Sequence, residues 1–212
     1  AARFRGESLN DKCYQGPDLN NKLLHVLLRF REHRFAITGD IEAMYYQVRV
    51  DGDHRDVLRF LWFDEAANVV CYRMTAHVFG GIWCSCAATY ALRLAAKEFG
   101  AGDEAVIDTI TKDFYVDDYL ISVDSADMAI DLIDKVKSVL GQGGFRLTKF
   151  VVNEDSVLQN IPEADRANEI KDFKSDIKTK ALGIKWDVKL DAFYFEVHMD
   201  RVENITKRGI LS

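Results

Sequence analysis

The chain has 212 residues, 48% of them hydrophobic and 29% charged, which is enough for a sizeable core in one large domain or two small ones. No apolar run approaches the roughly 18 residues of a membrane span. No cleavable signal segment is visible. The net charge of −6 runs against the basic footprint usual in nucleic-acid binders, but a metal-binding acidic cluster lowers net charge, and a basic duplex surface often lies in neighbouring domains.

In chain order, Asp18 to His33 places Leu19, Leu23, Val26, Leu27 and Phe30 at helical spacing, with Asp18 as N-cap. Phe35–Ile41 reads as a strand. Val57–Phe63 and Val69–Met74 read as strands joined by a polar turn through Asp64 to Asn68. Ser85 to Phe99, rich in Ala and Leu, reads as a helix stopped by Gly100-Ala101-Gly102. Lys112–Val116 and Tyr119–Val123 form a hairpin. Ser125 to Leu140 is an amphipathic helix with Ala129, Leu132, Ile133, Val136 and Leu140 on one face. Phe145–Val151 is a further strand. Leu182–Val188 and Phe193–Val197 form a last hairpin that turns near Lys189-Leu190-Asp191. The acids between Glu154 and Asp176 read as a solvated face. The central order of strand, helix, hairpin, helix, strand predicts an α+β fold: a ferredoxin-like antiparallel sheet with helices on one face.

The cysteines Cys13, Cys71, Cys84 and Cys86 contain no C-x-x-C pair, and no H-x-x-x-H pair is present, which argues against zinc. Cys84 and Cys86 read as small buried thiols. Reduced thiols suit an intracellular compartment, where the sequon Asn204-Ile205-Thr206 has no meaning. Asp108-Thr109-Ile110 begins like an aspartic-protease loop but lacks its glycine and is rejected.

The chemistry-bearing feature is Tyr115-Val116-Asp117-Asp118, two acids at the tip of a tight hairpin between apolar runs. Like charges forced together are unfavourable unless a cation neutralises them, and Mg²⁺ takes oxygen ligands, usually one or two carboxylates plus substrate phosphates. A further acid, Asp40, ends the strand Phe35–Gly39. A strand ending in one Asp and a distant hairpin carrying two can converge on a two-metal site for in-line phosphoryl displacement. Read alone, Asp-Asp is a solvated turn and Asp40 a strand-end cap.

With this constellation the chain resembles the palm of reverse transcriptases, and most closely that of BEL/Pao-type LTR retrotransposons. The closer likeness is carried by Arg3-Phe4-Arg5-Gly6-Glu7-Ser8-Leu9-Asn10-Asp11, Gln15-Gly16-Pro17-Asp18-Leu19, Leu27-Leu28-Arg29-Phe30-Arg31 and Asp40-Ile41-Glu42-Ala43-Met44. It continues through Arg55-Asp56-Val57-Leu58-Arg59-Phe60-Leu61-Trp62, Gly143-Gly144-Phe145-Arg146-Leu147 and Thr206-Lys207-Arg208-Gly209-Ile210-Leu211-Ser212. The resemblance implies partial fingers and an entry helix over 1–34, the palm over 35–178, and a primer-grip-like hairpin with the start of a connection to a thumb over 179–212. The chain starts with Ala1 rather than Met, and the matched ends imply an incomplete polymerase with little processive activity alone.

The resemblance also implies roles. Asp40, Asp117 and Asp118 are the catalytic metal ligands, joined by the backbone carbonyl of Ile41. The ions are two Mg²⁺, with Mn²⁺ as a substitute. Tyr45 closes the sugar pocket against a 2′-hydroxyl, Phe79 and Gly80 belong to the dNTP-binding loop, and Lys149 sits near the triphosphate. Leu182 and Gly183 grip the primer end. Ile82-Trp83-Cys84-Ser85 departs from the small-residue-and-proline run usual after that loop. The implied activity is RNA-directed DNA polymerisation. The implied partners are an RNA or DNA template with primer, dNTPs, and the protease, RNase H and integrase segments of a parent polyprotein, with no membrane. The implied location is an intracellular particle or the nucleus. Two alternatives stand beside this: a decayed palm that binds nucleic acid or protein without chemistry, and an RNA-dependent RNA polymerase palm, which a bulky Tyr45 disfavours.

Overall fold

A computed structural model describes residues 3–168, 178–182 and 184–194. Helix α1 is Leu23–Phe30, shorter than the spacing predicts, with Lys22 rather than Asp18 at its N-cap. The Asp18 carboxylate accepts instead from the Asn20 amide at 3.1 Å, a local turn that competes with capping. The Asn21 side chain donates to the carbonyls of Thr111 and Phe114 and anchors the segment outside the helix. Strand β1 is Phe35–Ile41, as its apolar run predicts. A single helical turn, α2, follows at Met44–Gln47 after Ala43 takes a left-handed φ of 50°.

Strands β2 (Arg59–Phe63) and β3 (Val69–Arg73) form a separate antiparallel ribbon, exposed along its whole length. Asp64 shapes the turn between them, its carboxylate accepting from the Ala66 and Asn68 amides. Residues Gly52–Leu58 are 3₁₀-helical, so the ribbon starts later than Val57. Helix α3 is Cys84–Phe99. It stops at Gly100, where a Cβ would lie 2.4 Å from the Ala96 carbonyl.

Helix α4, Glu104–Lys112, has no counterpart among the elements expected from the sequence. Its signals are Asp103, whose carboxylate accepts from the Val106 amide, and the buried pair Val106 and Ile110 at helical spacing. It takes up Lys112, so β4 is only Phe114–Tyr115. Strand β5 is Asp118–Val123. Helix α5 runs Ala126–Gln142 from its Ser125 N-cap and buries Ala129, Ile133, Val136 and Leu140. Gly143 ends it with no room for a side chain: a Cβ would lie 2.5 Å from that of Ala95 in α3. Strand β6 is Leu147–Val152 and a short α6 is Asp155–Asn160. Strands β7 (Lys178–Ala181), β8 (Ile184–Asp187) and β9 (Ala192–Tyr194) form a three-stranded sheet. Leu182, expected to begin a strand, lies instead in the β7–β8 turn with φ 52°.

The main sheet has the order β4-β5-β1-β6, antiparallel throughout. With α3 after β1 and α5 after β5, this is the ferredoxin-like connectivity that the element order predicts. Helix α5 packs on β1, β5, β6 and α3, and α1 packs on β5. The chain is thus a mixed α/β protein with an antiparallel sheet and helices. No helix among the described residues is long and apolar enough to cross a membrane.

Trp186 joins the three-stranded sheet to the rest. It is fully buried, edge-on to Phe30 with ring centres 5.0 Å apart, and its indole N–H donates to Asp191 Oδ1 at 3.0 Å. Phe193 stacks on the same Phe30 ring, and Arg31 pairs with Asp191. Trp186→Ala removes the central ring of this contact. Large-to-small changes of this kind cost about 3–5 kcal/mol, so urea unfolding should show a loss of that order.

Candidate active site

The site begins where β1 meets β5. Their register pairs Asp40 with Asp118 directly, and directly opposed residues of an antiparallel pair project from the same face. Tyr115 pairs with Asp118, leaving Val116 and Asp117 as the two-residue turn. Only Asp117 is therefore at the hairpin tip, because Asp118 already belongs to β5. Val116 has φ 59°, a conformation in which a β-branched residue is an outlier. The Ile41 amide donates to the Asp117 carbonyl at 2.9 Å, fastening the tip to the end of β1.

Crowding shows in the acidities. Burial first, then the charges of Asp117 and Asp40, push the Asp118 carboxyl up to about 6. Burial and then Asp40 push Asp117 up, while Lys149 opposes both shifts. Lys149 is placed by a break in register. Between Thr38 and Asp40 the β1–β6 pairing shifts by one residue, and Lys149 has φ 53°. Such a bulge re-aims a side chain. Here Lys149 Nζ lies 2.8 Å from Asp40 Oδ1. Gly39, beneath the break, leaves room for Leu147 and Phe150, each of which a Cβ would meet at 3.3 Å.

No group of three or more His, Cys, Asp or Glu side chains among the described residues is gathered as a ready metal-binding set. The donor chemistry nonetheless fits a hard divalent cation: carboxylate oxygens, partly buried, with the Asp40 charge helping to push Asp117 and Asp118 up. Asp40 is held by the Lys149 ammonium.

Beside the acids stands an aromatic corner. Tyr45, on α2, meets Phe79 edge-on with ring centres 4.9 Å apart. Burial pushes its phenol up, with nearby Ser85 opposing and the Asp117 charge adding to the rise. Tyr46 also touches Phe79, at 5.7 Å, but is 47% exposed. Phe79 itself is 63% exposed. Gly80 has φ 92°, the left-handed region open to glycine. The Asn10 amide brackets this loop, donating to the Gly80 carbonyl at 2.8 Å and accepting from the Ile82 amide at 3.2 Å. Asn10 is held by a 3₁₀ turn with a Ser8–Asp11 capping box. Loop and turn line a cleft of about 290 Å³ with Leu58 and Trp83.

Trp83, the residue that departs from the expected run, is housed here. Its ring lies over Gly81, where a Cβ would come within 2.8 Å of it. Its indole N–H donates to His77 Nδ1 at 3.0 Å. Glu42 and Arg146 brace the end of β1 through a 2.9 Å ion pair and a bond from the Glu42 amide to the Arg146 carbonyl. Arg146 continues to Asp165, which Lys137 also holds.

The structure therefore gathers Asp40, Ile41, Asp117, Asp118 and Lys149, with Tyr45, Phe79 and Gly80 adjoining through Tyr45. Leu182 is positioned by the other sheet, and Gly183 lies outside the described residues. Asn10, Ser85, Glu42 and Arg146 carry no signal of a site role in the sequence beyond their types.

No family model matches the chain, and no curated protein matches it. Among solved structures it is similar to a foamy viral protease-reverse transcriptase in complex with RNA/DNA hybrid, with TM-score 0.46 and 17% identity over 60% of this chain and 15% of that one. It is also similar to the foamy viral protease-reverse transcriptase dRH in complex with double-stranded DNA, with TM-score 0.52 and 14% identity over 78% of this chain. The chain spans 23% of that protein's length. The fold is reverse-transcriptase-like.

Burial holds His77 below the usual imidazole value of 6.5, so it folds neutral and accepts from Trp83. A depressed folded-state pKa means the unfolded chain takes up the proton first as pH falls. The stability His77 contributes is complete above 6.5 and is lost as pH falls below it. Wild-type urea stability should therefore drop between pH 7.5 and pH 5.5 by more than that of His77→Gln. Equal drops would show that the contact is irrelevant to folding.

Proposed function

We propose that the chain is the catalytic palm of a reverse transcriptase of BEL/Pao retrotransposon type, an RNA-directed DNA polymerase that adds deoxyribonucleotides to a primer 3′-hydroxyl. The observation that carries the reading is the pairing of Asp40 with Asp118 at the hairpin that presents Asp117. The reverse-transcriptase-like fold and the Tyr-Val-Asp-Asp resemblance support it. The reading assigns residues 1–34 to partial fingers, 35–178 to the palm and 179–212 to a primer-grip-like hairpin leading to a thumb. It makes the template–primer, dNTPs and the rest of a polyprotein the partners, inside the cell.

Each residue has a physical task. Asp40, Asp117, Asp118 and the Ile41 carbonyl would hold two Mg²⁺ or Mn²⁺ ions, which supply activation of the attacking hydroxyl and charge neutralisation of the leaving pyrophosphate. Tyr45, braced by Phe79, presents a ring that leaves no room for a 2′-hydroxyl. Phe79 and Gly80 form the floor against which the incoming nucleotide rests, with the Gly80 backbone able to approach closely. Lys149 offers a positive charge to the triphosphate. Leu182 and Gly183 support the primer end. Trp83 is accommodated by Gly81 and His77, so the departure from the family run leaves the acids intact.

Asp40→Asn and Asp117→Asn should each fold and lose polymerisation by about a thousandfold or more, since metal-assisted charge stabilisation is worth several kcal/mol and about 1.4 kcal/mol is tenfold in rate. Primer extension by the chain within its natural flanking sequence measures this. Near-normal extension by Asp117→Asn would overturn the assignment.

Tyr45→Val should open the sugar pocket. The ratio of kcat/KM for a deoxyribonucleotide to that for its ribonucleotide partner should fall by about tenfold or more, as expected when a steric exclusion worth about 1–3 kcal/mol is removed. An unchanged ratio would leave Tyr45 a packing residue and point to Tyr46.

A further inference from the structure

Lys149 is bound to the site's own acid, although its proposed partner is the substrate's phosphate charge. Its Nζ is 2.8 Å from Asp40 Oδ1, and the two side chains are 60% and 26% exposed. The geometry is built in. Lys149 sits in a register break directly beside Asp40, with a left-handed φ of 53° that lysine rarely adopts. Backbone strain of this kind persists only when the surroundings impose it, and Phe150 packs beneath the break against Gly39. Arg146, nearby, is engaged with Glu42 and Asp165.

We propose, on the reading that these acids hold divalent cations, that Lys149 is an exchangeable counter-ion. It pairs with Asp40 while the site is metal-free, and a divalent cation must displace it before Asp40 can serve as a ligand. The exposed Nζ is then free to meet the triphosphate. One lysine thus guards the acids against mutual repulsion when empty and ties nucleotide binding to metal binding when full. Metal affinity is lowered by the strength of the ion pair that is broken. For a pair this exposed, that is a factor of about two to five.

The test is Mn²⁺ binding, followed by the paramagnetic resonance of the free ion, on wild type, Lys149→Met, Arg146→Met and Asp40→Asn. Lys149→Asn serves as a second variant because asparagine tolerates left-handed backbone. Lys149→Met and Lys149→Asn should bind Mn²⁺ about two- to fivefold more tightly than wild type. The metal-free variants should melt below wild type, and saturating Mn²⁺ should close that gap. Unchanged or weaker binding by both Lys149 variants would overturn the proposal while leaving the metal site standing. An equal gain from Arg146→Met would also overturn it, since the effect would then be through-space charge rather than displacement. Wild-type binding that Asp40→Asn leaves intact, or no binding at all, would overturn the metal-site reading itself and the counter-ion with it.

Discussion

Two acids are paired in register across adjacent antiparallel strands, Asp40 on β1 and Asp118 on β5, and a third, Asp117, stands at the turn just before Asp118. Like charges opposed on a sheet are destabilising, and burial adds a desolvation cost. The consequence is visible in Asp118, whose proton is held to about pH 6. A sheet that served only stability would not place acids there. The arrangement stands because the rest of the domain over-determines it: β1 buries Ile37, Gly39 and Ile41 along one face, β5 is nearly all core, and the Ile41 amide locks the tip through the Asp117 carbonyl.

Around that junction the strain is local and traceable. Val116 and Lys149 both take left-handed backbone, one at the tip and one in the register break next to Asp40. Each lies in a segment whose ends are fixed by regular pairing. The strain therefore cannot relax by a slip of register, because a one-residue slip would turn the buried face of the strand to solvent. Distortion next to a charged site is a common way for a sheet to re-aim a side chain, and it brings the lysine onto the acid.

The aromatic corner is joined to the acids through Tyr45. Its ring packs edge-on against Phe79, and the loop beneath is fixed by the Asn10 amide. These contacts connect segments far apart in the chain. A change at Asn10 or Gly81 therefore reaches the Tyr45 ring through the loop and the start of α3, without any contact to the carboxylates. Trp83 illustrates the same economy of space: its bulk is absorbed because Gly81 has no side chain and His77 offers a neutral acceptor.

The sequence by itself determined the strand at Phe35–Ile41, the long helices, placed at Ser85–Phe99 and Ser125–Leu140 within a residue or two of where they lie, the hairpin around Asp117, and the sheet connectivity, because apolar spacing and glycine stops are local signals. It also singled out the three acids and Tyr45. It missed α4, whose capping Asp103 and paired Val106 and Ile110 stand in a stretch of mixed polarity, and it overextended α1, where Asp18 chose its own turn. Only the tertiary structure decided that Asp118 lies within the strand rather than at the tip, since that depends on cross-strand register. Only it decided that Lys149 rests on Asp40, because a register break arises from how two strands far apart in sequence pack over Phe150. Pairings between distant segments are set by the whole core, and no local run of residues encodes them.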